Sequence, residues 1–196
     1  AVTDGNTEVV KALIEKMRTE DLLLTNQHGD TALHLAAFNG HTEIAKALIE
    51  KIRAEDLRLL NEDNCTALHL VAFNGHTEIA KALIETMKAD NLLLTNHQGN
   101  TALHLAAYNG HTEIALALIA KMSAADLSLQ NSEKKTALHL AVTDGNTEVV
   151  KALIEKMRDE DLLLQNVNKQ TALHLATGNG YTEVVKALVE KMRTED

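Results

Sequence analysis

Histidine is the residue of this sequence whose type and spacing could support metal binding or acid–base chemistry. Ten histidines are present, and five of them recur every 35 residues: His34, His69, His104, His139 and His174. If each belongs to a separate helical module, neighbouring copies lie about 8–10 Å apart, whereas zinc holds each nitrogen ligand at about 2.0–2.1 Å. The spacing therefore predicts that these histidines share no metal ion.

Nucleophilic chemistry has no better support. Cys65 is the only cysteine, and its position in the other copies of the repeat is held by polar residues, so we expect an exposed thiol in a turn without a partner base. Glycine-rich phosphate loops and the His-Glu-x-x-His spacing do not occur in the sequence. We therefore expect no catalytic residue, no cofactor and no enzyme activity. A histidine-rich loop that binds a metal is the one alternative left open.

The charge balance is acidic, since 28 Asp and Glu face 19 Lys and Arg, a formal net charge of −9 over 196 residues. The scattered basic residues form no stripe for a phosphate backbone, so we expect no nucleic acid partner. No apolar run approaches the roughly 20 residues that cross a bilayer, and we expect no membrane partner. A single cysteine cannot form an internal disulfide, which favours an intracellular, cytoplasmic location.

The elements that must position these residues follow from an internal repeat. The pentapeptide Thr-Ala-Leu-His-Leu begins at five positions, each 35 residues after the last: Thr31, Thr66, Thr101, Thr136 and Thr171. A fixed period of 20–50 residues is typical of solenoids, in which each module covers the apolar face of its neighbour. We predict an all-α repeat solenoid of stacked helix-turn-helix units joined by hairpin-like loops.

Each unit contains two predicted helices. Thr31 is a candidate N-cap for a first helix over residues 32–39, which Gly40 ends. His34 stands at the position where a capping box places its second side chain, so threonine and histidine can satisfy each other's backbone groups. The second helix begins at Thr42 and carries a stripe of apolar residues: Ile44, Ala45, Leu48, Ile49 and Ile52.

The combined pattern, Asn-x-x-Gly-x-Thr-Ala-Leu-His-Leu-Ala-Ala-x-Asn-Gly-His, resembles the ankyrin repeat, whose signature contains Thr-Pro-Leu-His. The resemblance covers residues 1–196, with a 35-residue period and with Ala32 and its equivalents in place of proline. It implies that the threonine and histidine pair has a structural role. It also implies a fold whose concave surface and hairpin tips bind proteins.

We predict one array of repeats, with residues 1–30 as a leading half-repeat, residues 31–65, 66–100, 101–135 and 136–170 as complete repeats, and residues 171–196 as the last. Residues 1–18 are identical to residues 141–158, so we expect the chain to open at the tail of a first helix. Both ends carry apolar residues at repeat positions, and we expect both to be uncapped: Val9, Val10, Leu13 and Ile14 at one end, and Val184, Val185, Leu188 and Val189 at the other.

The hairpin tips differ at their glycine position. Gly29 and Gly99 are replaced in the other tips by Asn64, Lys134 and Lys169. Because a lysine at positive φ is unfavourable by roughly 1 kcal/mol or more, we expect the last two tips to be reshaped. An asparagine five residues before each repeat threonine is suited to an Asx turn that closes the tip.

The aromatic residues are aligned on the repeat. Phe38, Phe73 and Tyr108 share one position near the end of the first helix, which Thr143 continues. The resemblance places this position on the concave surface that ankyrin proteins use for partners. Two interpretations are open: the rings bind a partner, or they only cover neighbouring first helices. The predicted contact residues of this row also include Asn39, Asn74, Asn109 and Asp144.

The hairpin tips vary between repeats while the scaffold does not, and they match the second contact region of the ankyrin family. The predicted contact residues there are His28, Asp30, Asp63, Gln98, Asn100 and Glu133. We therefore expect a non-catalytic scaffold for a protein or peptide partner.

The alternative is an engineered or self-associating repeat protein without a natural ligand. The constant 35-residue period and the apolar ends of the chain favour this alternative. It would stack through those ends. A second patch could also associate weakly, since Leu116 and Ala120 replace the lysine and glutamate of the other second helices.

Overall fold

The computed structural model describes residues 4–193, and the regular secondary structure in this range is helical. Over these residues it contains twelve α-helices and four 3-10 helices, and no β-strand. The chain divides into two compact units, Ala1–His97 and Gln98–Asp196.

Unit 1 arranges its helices in two layers. The first helices pack against each other, the second helices do the same, and each first helix packs on the second helix that follows it. The α-helices are α1 (Asp4–Lys16), α2 (Thr19–Leu22), α3 (Ala32–Asn39), α4 (Thr42–Lys51), α5 (Ala67–Asn74) and α6 (Thr77–Thr86), with 3-10 helices at Asp56–Arg58 and Ala89–Leu93.

Unit 2 repeats this arrangement: α9 packs on α7, on α11 and on its own second helix, α10. Its α-helices are α7 (Ala102–Tyr108), α8 (Thr112–Lys121), α9 (Ala137–Asp144), α10 (Thr147–Lys156), α11 (Ala172–Gly178) and α12 (Thr182–Met192), with 3-10 helices at Asp126–Ser128 and Asp159–Leu163. The predicted fold class, an all-α repeat solenoid, is confirmed. The predicted repeat boundaries stay a prediction.

Helix boundaries follow the capping signals of the sequence. Thr31 precedes α3, and its side chain accepts a hydrogen bond from the backbone N–H of His34, as predicted. Gly40 ends the helix with a φ of 70°, a left-handed conformation that glycine adopts without a steric penalty. The predicted second-helix stripe is also confirmed, because all its members are buried: Ile44, Ala45, Leu48, Ile49 and Ile52.

The expected reshaping of the last two tips is wrong. Lys134 and Lys169 have φ values of 54° and 58°, close to the 72° and 73° of Gly29 and Gly99. All these tips therefore have a left-handed residue at the same position, whether or not it is glycine.

The Asx turn explains why lysine is tolerated there. The Oδ1 atom of Asn131 accepts hydrogen bonds from the backbone N–H groups of Glu133 and Lys135 at 3.0 and 2.9 Å. The N–H of Lys134 also donates to the carbonyl of Asn131 at 2.8 Å. These bonds close the tip and offset a left-handed cost of about 1–2 kcal/mol.

The first 18 residues correct a second expectation. Helix α1 runs without interruption through Gly5, whereas the identical Gly145 has a φ of 81° in the turn between two helices. The described part of the segment is therefore one helix, and not the tail of a first helix followed by a turn. Residues 1–3 lie outside the described residues.

The two apolar ends also differ from each other. At α1, Val9 and Leu13 are exposed while Ile14 is buried. At α12, Val184 and Leu188 are buried. Val185 and Val189 of the same helix are half-buried. The prediction that both ends are uncapped stays a prediction.

Candidate functional site

Four of the five repeat histidines are buried caps: His34, His69, His104 and His139. The fifth, His174, caps its helix in the same way but is exposed. The Nδ1 atom of His34 lies 2.8 Å from the Thr31 hydroxyl and accepts from the Thr31 backbone N–H at 3.2 Å. Its Nε2 atom lies 3.1 and 3.0 Å from the carbonyl oxygens of Leu59 and Cys65. Carbonyl oxygens only accept, so the proton is on Nε2 and Nδ1 is the acceptor.

This geometry leaves the imidazole no capacity for other chemistry. Burial lowers the pKa of His34 and of His139, and the nearby carbonyl groups oppose this shift only in part. Both nitrogens are occupied in the neutral ring. Among residues 4–193, no group of three or more His, Cys, Asp or Glu side chains could hold a metal ion.

Cys65 is not the exposed thiol that its position predicts. The residue is half-buried, because the next hairpin tip packs beside it. Burial raises the pKa of the thiol, and the charge of Asp63 adds to this effect, while a hydrogen bond from Asn96 opposes it. A raised pKa keeps the sulfur protonated near neutral pH and lowers its nucleophilicity.

The predicted aromatic positions are open to solvent in both units. In unit 1, Phe38 and Phe73 are 53% and 51% exposed, and in unit 2 Tyr108 is 57% exposed. The residue that follows them along the repeat, Thr143, is also exposed. The rings therefore lie on the surface of the first-helix layer and keep about half of their area available to a partner.

The asparagines beside the rings are partly used by their own helices. The side-chain amide of Asn39 donates to the carbonyl of Leu35 at 2.8 Å, and Asn74 and Asn109 donate to the carbonyls four residues before them in the same way. Asn39 and Asp144 are exposed, whereas Asn74 and Asn109 are half-buried. Each bond fixes the orientation of the amide while its oxygen remains an acceptor.

A junction residue of the next repeat holds the end of the first helix. The Nε2 atom of His76 lies 3.2 Å from the carbonyl oxygen of Phe38, and its ring lies against Gly40. A Cβ atom on Gly40 would come within 2.5 Å of that ring. A side chain at Gly40 would therefore displace the His76 ring from Phe38, in addition to the strain of a positive φ.

The hairpin tips divide into anchored and exposed residues. Asp30 and Asn100 are half-buried, and each side chain accepts a hydrogen bond of 2.8 Å from the next tip, through Asn61 and Asn131. These bonds give Asp30 and Asn100 a structural role that their sequence position did not reveal. The other predicted tip residues are exposed: His28, Asp63, Gln98 and Glu133.

Backbone hydrogen bonds join consecutive tips within each unit. In unit 1, the N–H of Glu62 donates to the carbonyl of His28 at 3.0 Å. In unit 2, the N–H of Ser132 donates to the carbonyl of Gln98 at 3.0 Å. The exposed tip side chains are therefore carried by a fixed backbone.

The outer face of the second helices carries ion pairs. Lys11 pairs with Glu43, and Lys46 pairs with Glu78, in each case with an Nζ–Oε2 distance of 3.3 Å. Leu116 interrupts this pattern in unit 2, where it lines a shallow groove with Ile119, Ala120, Ala152, Glu155 and Lys156.

Sequence reasoning missed two exposed residues of α3, Ala32 and Leu35. Their counterparts in α9, Ala137 and Leu140, are buried. The signal was available in the repeat register, since the alanine position is buried in the first helices that pack on a preceding one within their unit, at Ala67, Ala137 and Ala172.

The comparisons with known proteins agree with this architecture. A family model described as ankyrin repeats (3 copies) matches residues 1–56, 51–131 and 122–196. None of the curated proteins that were searched matches the chain. Within residues 4–193, the helices are too short or too polar to span a membrane.

Proposed function

The chain belongs to the ankyrin-repeat family, and from this premise we propose that it is a non-catalytic scaffold that binds a protein or peptide on its first-helix face and hairpin tips. The observation that carries the proposal is the exposure of Phe38, Phe73 and Tyr108 at one position of the repeat. Exposed aromatic side chains are common anchors of protein interfaces because they bury a large area at a low entropic cost.

The surroundings of the rings support binding over simple packing. A ring that served only to cover its neighbours would be buried by them, yet each of the three keeps about half of its area exposed. The backbone below Phe38 is held by His76, and the adjacent Asn39 amide is oriented by its own helix. A fixed surface loses little conformational entropy on binding.

The test uses peptides selected from a random library for binding to the intact chain. We expect the combined Phe38→Ala, Phe73→Ala and Tyr108→Ala variant to weaken the selected peptides by more than about tenfold, because truncated aromatic anchors typically cost 2 kcal/mol or more. Circular dichroism should show unchanged helix content, since all three side chains are exposed.

The matched control removes exposed apolar side chains elsewhere, through Leu24→Ala and Leu163→Ala, one in each unit. These changes should leave peptide affinity within about twofold. Equal affinity of the wild-type and triple-alanine chains would show that the peptides do not bind at the aromatic residues of the first-helix face.

A second candidate function is self-association without a natural ligand, as in an engineered repeat protein. The groove lined by Leu116 and Ala120 favours it, because the other second helices carry charged residues at these two positions. Sedimentation across a range of concentrations distinguishes the two: a monomer at all concentrations excludes this candidate, and a dimer abolished by Leu116→Lys supports it. For either function we also propose a cytoplasmic location, since one cysteine provides no disulfide.

A further inference from the structure

Consecutive second helices border a groove that recurs at the same place in each unit. The groove in unit 2 differs from the one in unit 1 only on α8, where a leucine and an alanine replace a lysine and a glutamate. Between α1 and α4 of unit 1, the lining residues are Lys11, Ile14, Glu15, Ala47, Glu50 and Lys51. Between α8 and α10 of unit 2, the residues at the same repeat positions are Leu116, Ile119, Ala120, Ala152, Glu155 and Lys156.

The lysine that α8 lacks has a defined partner in unit 1. Lys11 pairs with Glu43 on the next second helix, 32 residues later, with an Nζ–Oε2 distance of 3.3 Å. Leu116 precedes Glu148 by the same interval, so no lysine stands opposite Glu148. Glu148 is exposed and makes no ion pair with the residues that the structure describes.

The lysine inside the unit 2 groove is engaged with the backbone. The Nζ atom of Lys156 donates to the carbonyl oxygens of Ile119 and Ala120 in the last turn of α8, at 2.6 and 3.1 Å. Glu155 is exposed and, within residues 4–193, has no ion-pair partner. The rim of the groove therefore carries two carboxylates, of Glu148 and Glu155, that no side chain of this unit neutralises.

Lys151 lies between these two glutamates in sequence but on the other side of α10. The pKa of Glu183 on α12 is lowered by a hydrogen bond from Lys186 and also by the charge of Lys151. The ammonium group of Lys151 is therefore on the α12 side of α10, whereas the groove is on the α8 side. The groove combines an apolar wall with an acidic rim.

We propose that the surface formed by Leu116, Ala120, Glu148, Ala152 and Glu155, here called the α8–α10 groove, binds an amphipathic helix of another protein that carries leucines between lysines or arginines. Charge complementarity identifies the occupant, because its cations supply what Lys11 supplies within unit 1. This site goes beyond the function proposed above, since it lies on the second helices and not on the first-helix face.

The spacing of the two carboxylates fits a helical partner. Glu148 and Glu155 are seven residues apart on α10, which is two turns or about 10.5 Å. A helix lying along α10 presents cations seven residues apart at the same spacing, and the residues three and four positions after the first cation lie on the same face. The recognition pattern is therefore Lys-x-x-Leu-Leu-x-x-Lys.

A second copy of this chain fits the groove less well. Two copies joined through it would bring the side chains of Glu148 and Glu155 from both copies into one interface, in chains of net charge −9. Like charges placed together oppose association. The acidic rim therefore favours a cationic partner over the self-association considered above.

The probe is a labelled peptide of three copies of Lys-Gln-Ala-Leu-Leu-Gln-Ala, with binding to the intact chain measured by fluorescence anisotropy at low salt. We expect saturable binding of one peptide per chain. A peptide with glutamate in place of every lysine should bind more than about tenfold more weakly, because like charges then meet at the rim. Leu116→Lys should weaken the lysine peptide by a similar factor, since it removes the apolar wall and gives Glu148 a lysine within the chain.

Matched variants separate this groove from general attraction to an acidic chain. Thr86→Lys adds the same charge as Leu116→Lys at an exposed position of α6, and it should leave the affinity within about twofold. Glu148→Gln with Glu155→Gln should weaken binding by about threefold or more at low salt. The same changes at the equivalent positions of unit 1, Glu43→Gln with Glu50→Gln, should have no such effect. Circular dichroism checks that each variant keeps its helix content.

The groove of unit 1 provides the converse test. Lys11→Leu with Glu15→Ala gives it the residues of the α8–α10 groove and should raise the stoichiometry from one peptide to two, and a stoichiometry that stays at one contradicts the proposal. Absence of saturable binding up to about 1 mM peptide, or equal affinity of the wild-type chain and the Leu116→Lys variant, also overturns it. A chain that dimerises alone, and stops doing so with Leu116→Lys, overturns it in favour of a second copy.

Discussion

The Nε2 nitrogen of His34 lies 3.0 Å from the carbonyl oxygen of Cys65, the residue just before the N-cap of the next first helix. Since the Nδ1 nitrogen of the same ring caps its own helix at Thr31, one imidazole joins two consecutive repeats. His104 makes the equivalent contact with the carbonyl of Lys135 at 3.1 Å. The neutral ring with its proton on Nε2 is the form that satisfies both sides.

This relationship predicts a loss of stability in acid. Burial lowers the folded-state pKa of His34 and His139 below the usual value of about 6.5. Below about pH 6.5 the unfolded chain therefore binds more protons than the folded chain. The contribution of these histidines to the free energy of unfolding is fully present above about pH 6.5, and it decreases as the pH falls towards the folded-state pKa. Urea unfolding at pH 7.5 and at pH 5.5 measures the difference.

The control for this prediction is His34→Gln with His139→Gln. Both substitutions should lower the free energy of unfolding at pH 7.5 but reduce its change between the two pH values, because glutamine does not titrate. An unchanged pH dependence in this variant would assign the acid effect to other groups.

Loss of a single N-cap should have a measurable cost. Thr136→Val keeps the shape of the side chain but removes the hydroxyl that accepts from His139 N–H and contacts its Nδ1 atom. We expect a decrease of about 1–2 kcal/mol in the free energy of unfolding. Thr143→Val is the matched control, since Thr143 is exposed and its hydroxyl donates only within its own helix. Equal effects of the two substitutions would contradict the capping role.

Glycine should stabilise a hairpin tip that now carries lysine. Lys134 has a φ of 54°, a conformation that is unfavourable for lysine by about 1–2 kcal/mol. Glycine has no steric penalty there and loses only conformational entropy on folding, about 0.5–1 kcal/mol. Lys134→Gly should therefore raise the free energy of unfolding by about 0.5–1 kcal/mol. Lys135→Gly removes the same charge from the adjacent residue and should give no gain. Thermal unfolding of the two variants compares them directly.

The interrupted ion pairs on the second helices offer a further test. The observed pairs join a lysine to a glutamate 32 residues later, so Leu116→Lys places a lysine opposite Glu148. We expect a gain of about 0.2–1 kcal/mol at low salt that disappears at high salt, as exposed pairs are screened. Ala120→Lys adds the same charge opposite Ala152 and should show no gain. A salt-independent gain would point to packing instead.

The regular part of the fold is predictable from the sequence because local signals coincide there. Thr31, His34 and Gly40 each favour the same helix, and its observed bounds are those that the capping pattern predicts. The exposure of Phe38 follows from its place in the repeat. At these residues the side-chain type, the backbone conformation and the repeat period all favour the same structure.

The differences arise where packing overrides local preference. A lysine is unfavourable at positive φ, yet Lys169 adopts it because Asn166 closes the tip with two hydrogen bonds. The sequence predicts that Asp30 is a variable surface residue, yet its side chain accepts a hydrogen bond from Asn61 of the next tip. Such contacts between repeats depend on how the tips align, which one repeat does not specify.

The N-terminal segment shows the same limit most directly. Gly5 and Gly145 have identical neighbours for several residues on both sides, but Gly5 lies within α1 and Gly145 lies in a left-handed turn. Identical sequence therefore adopts two structures, and the second copy lies in a unit where α9 packs on α7, α10 and α11.

The most direct test of the central claim is to map where a selected peptide contacts the chain, by following backbone amide shifts in NMR spectra during titration. The account predicts that the largest shifts fall at Phe38 and Phe73 in unit 1 and at Tyr108 in unit 2, together with the exposed tip residues. Shifts confined to the second helices α4, α6, α8 and α10 would contradict it.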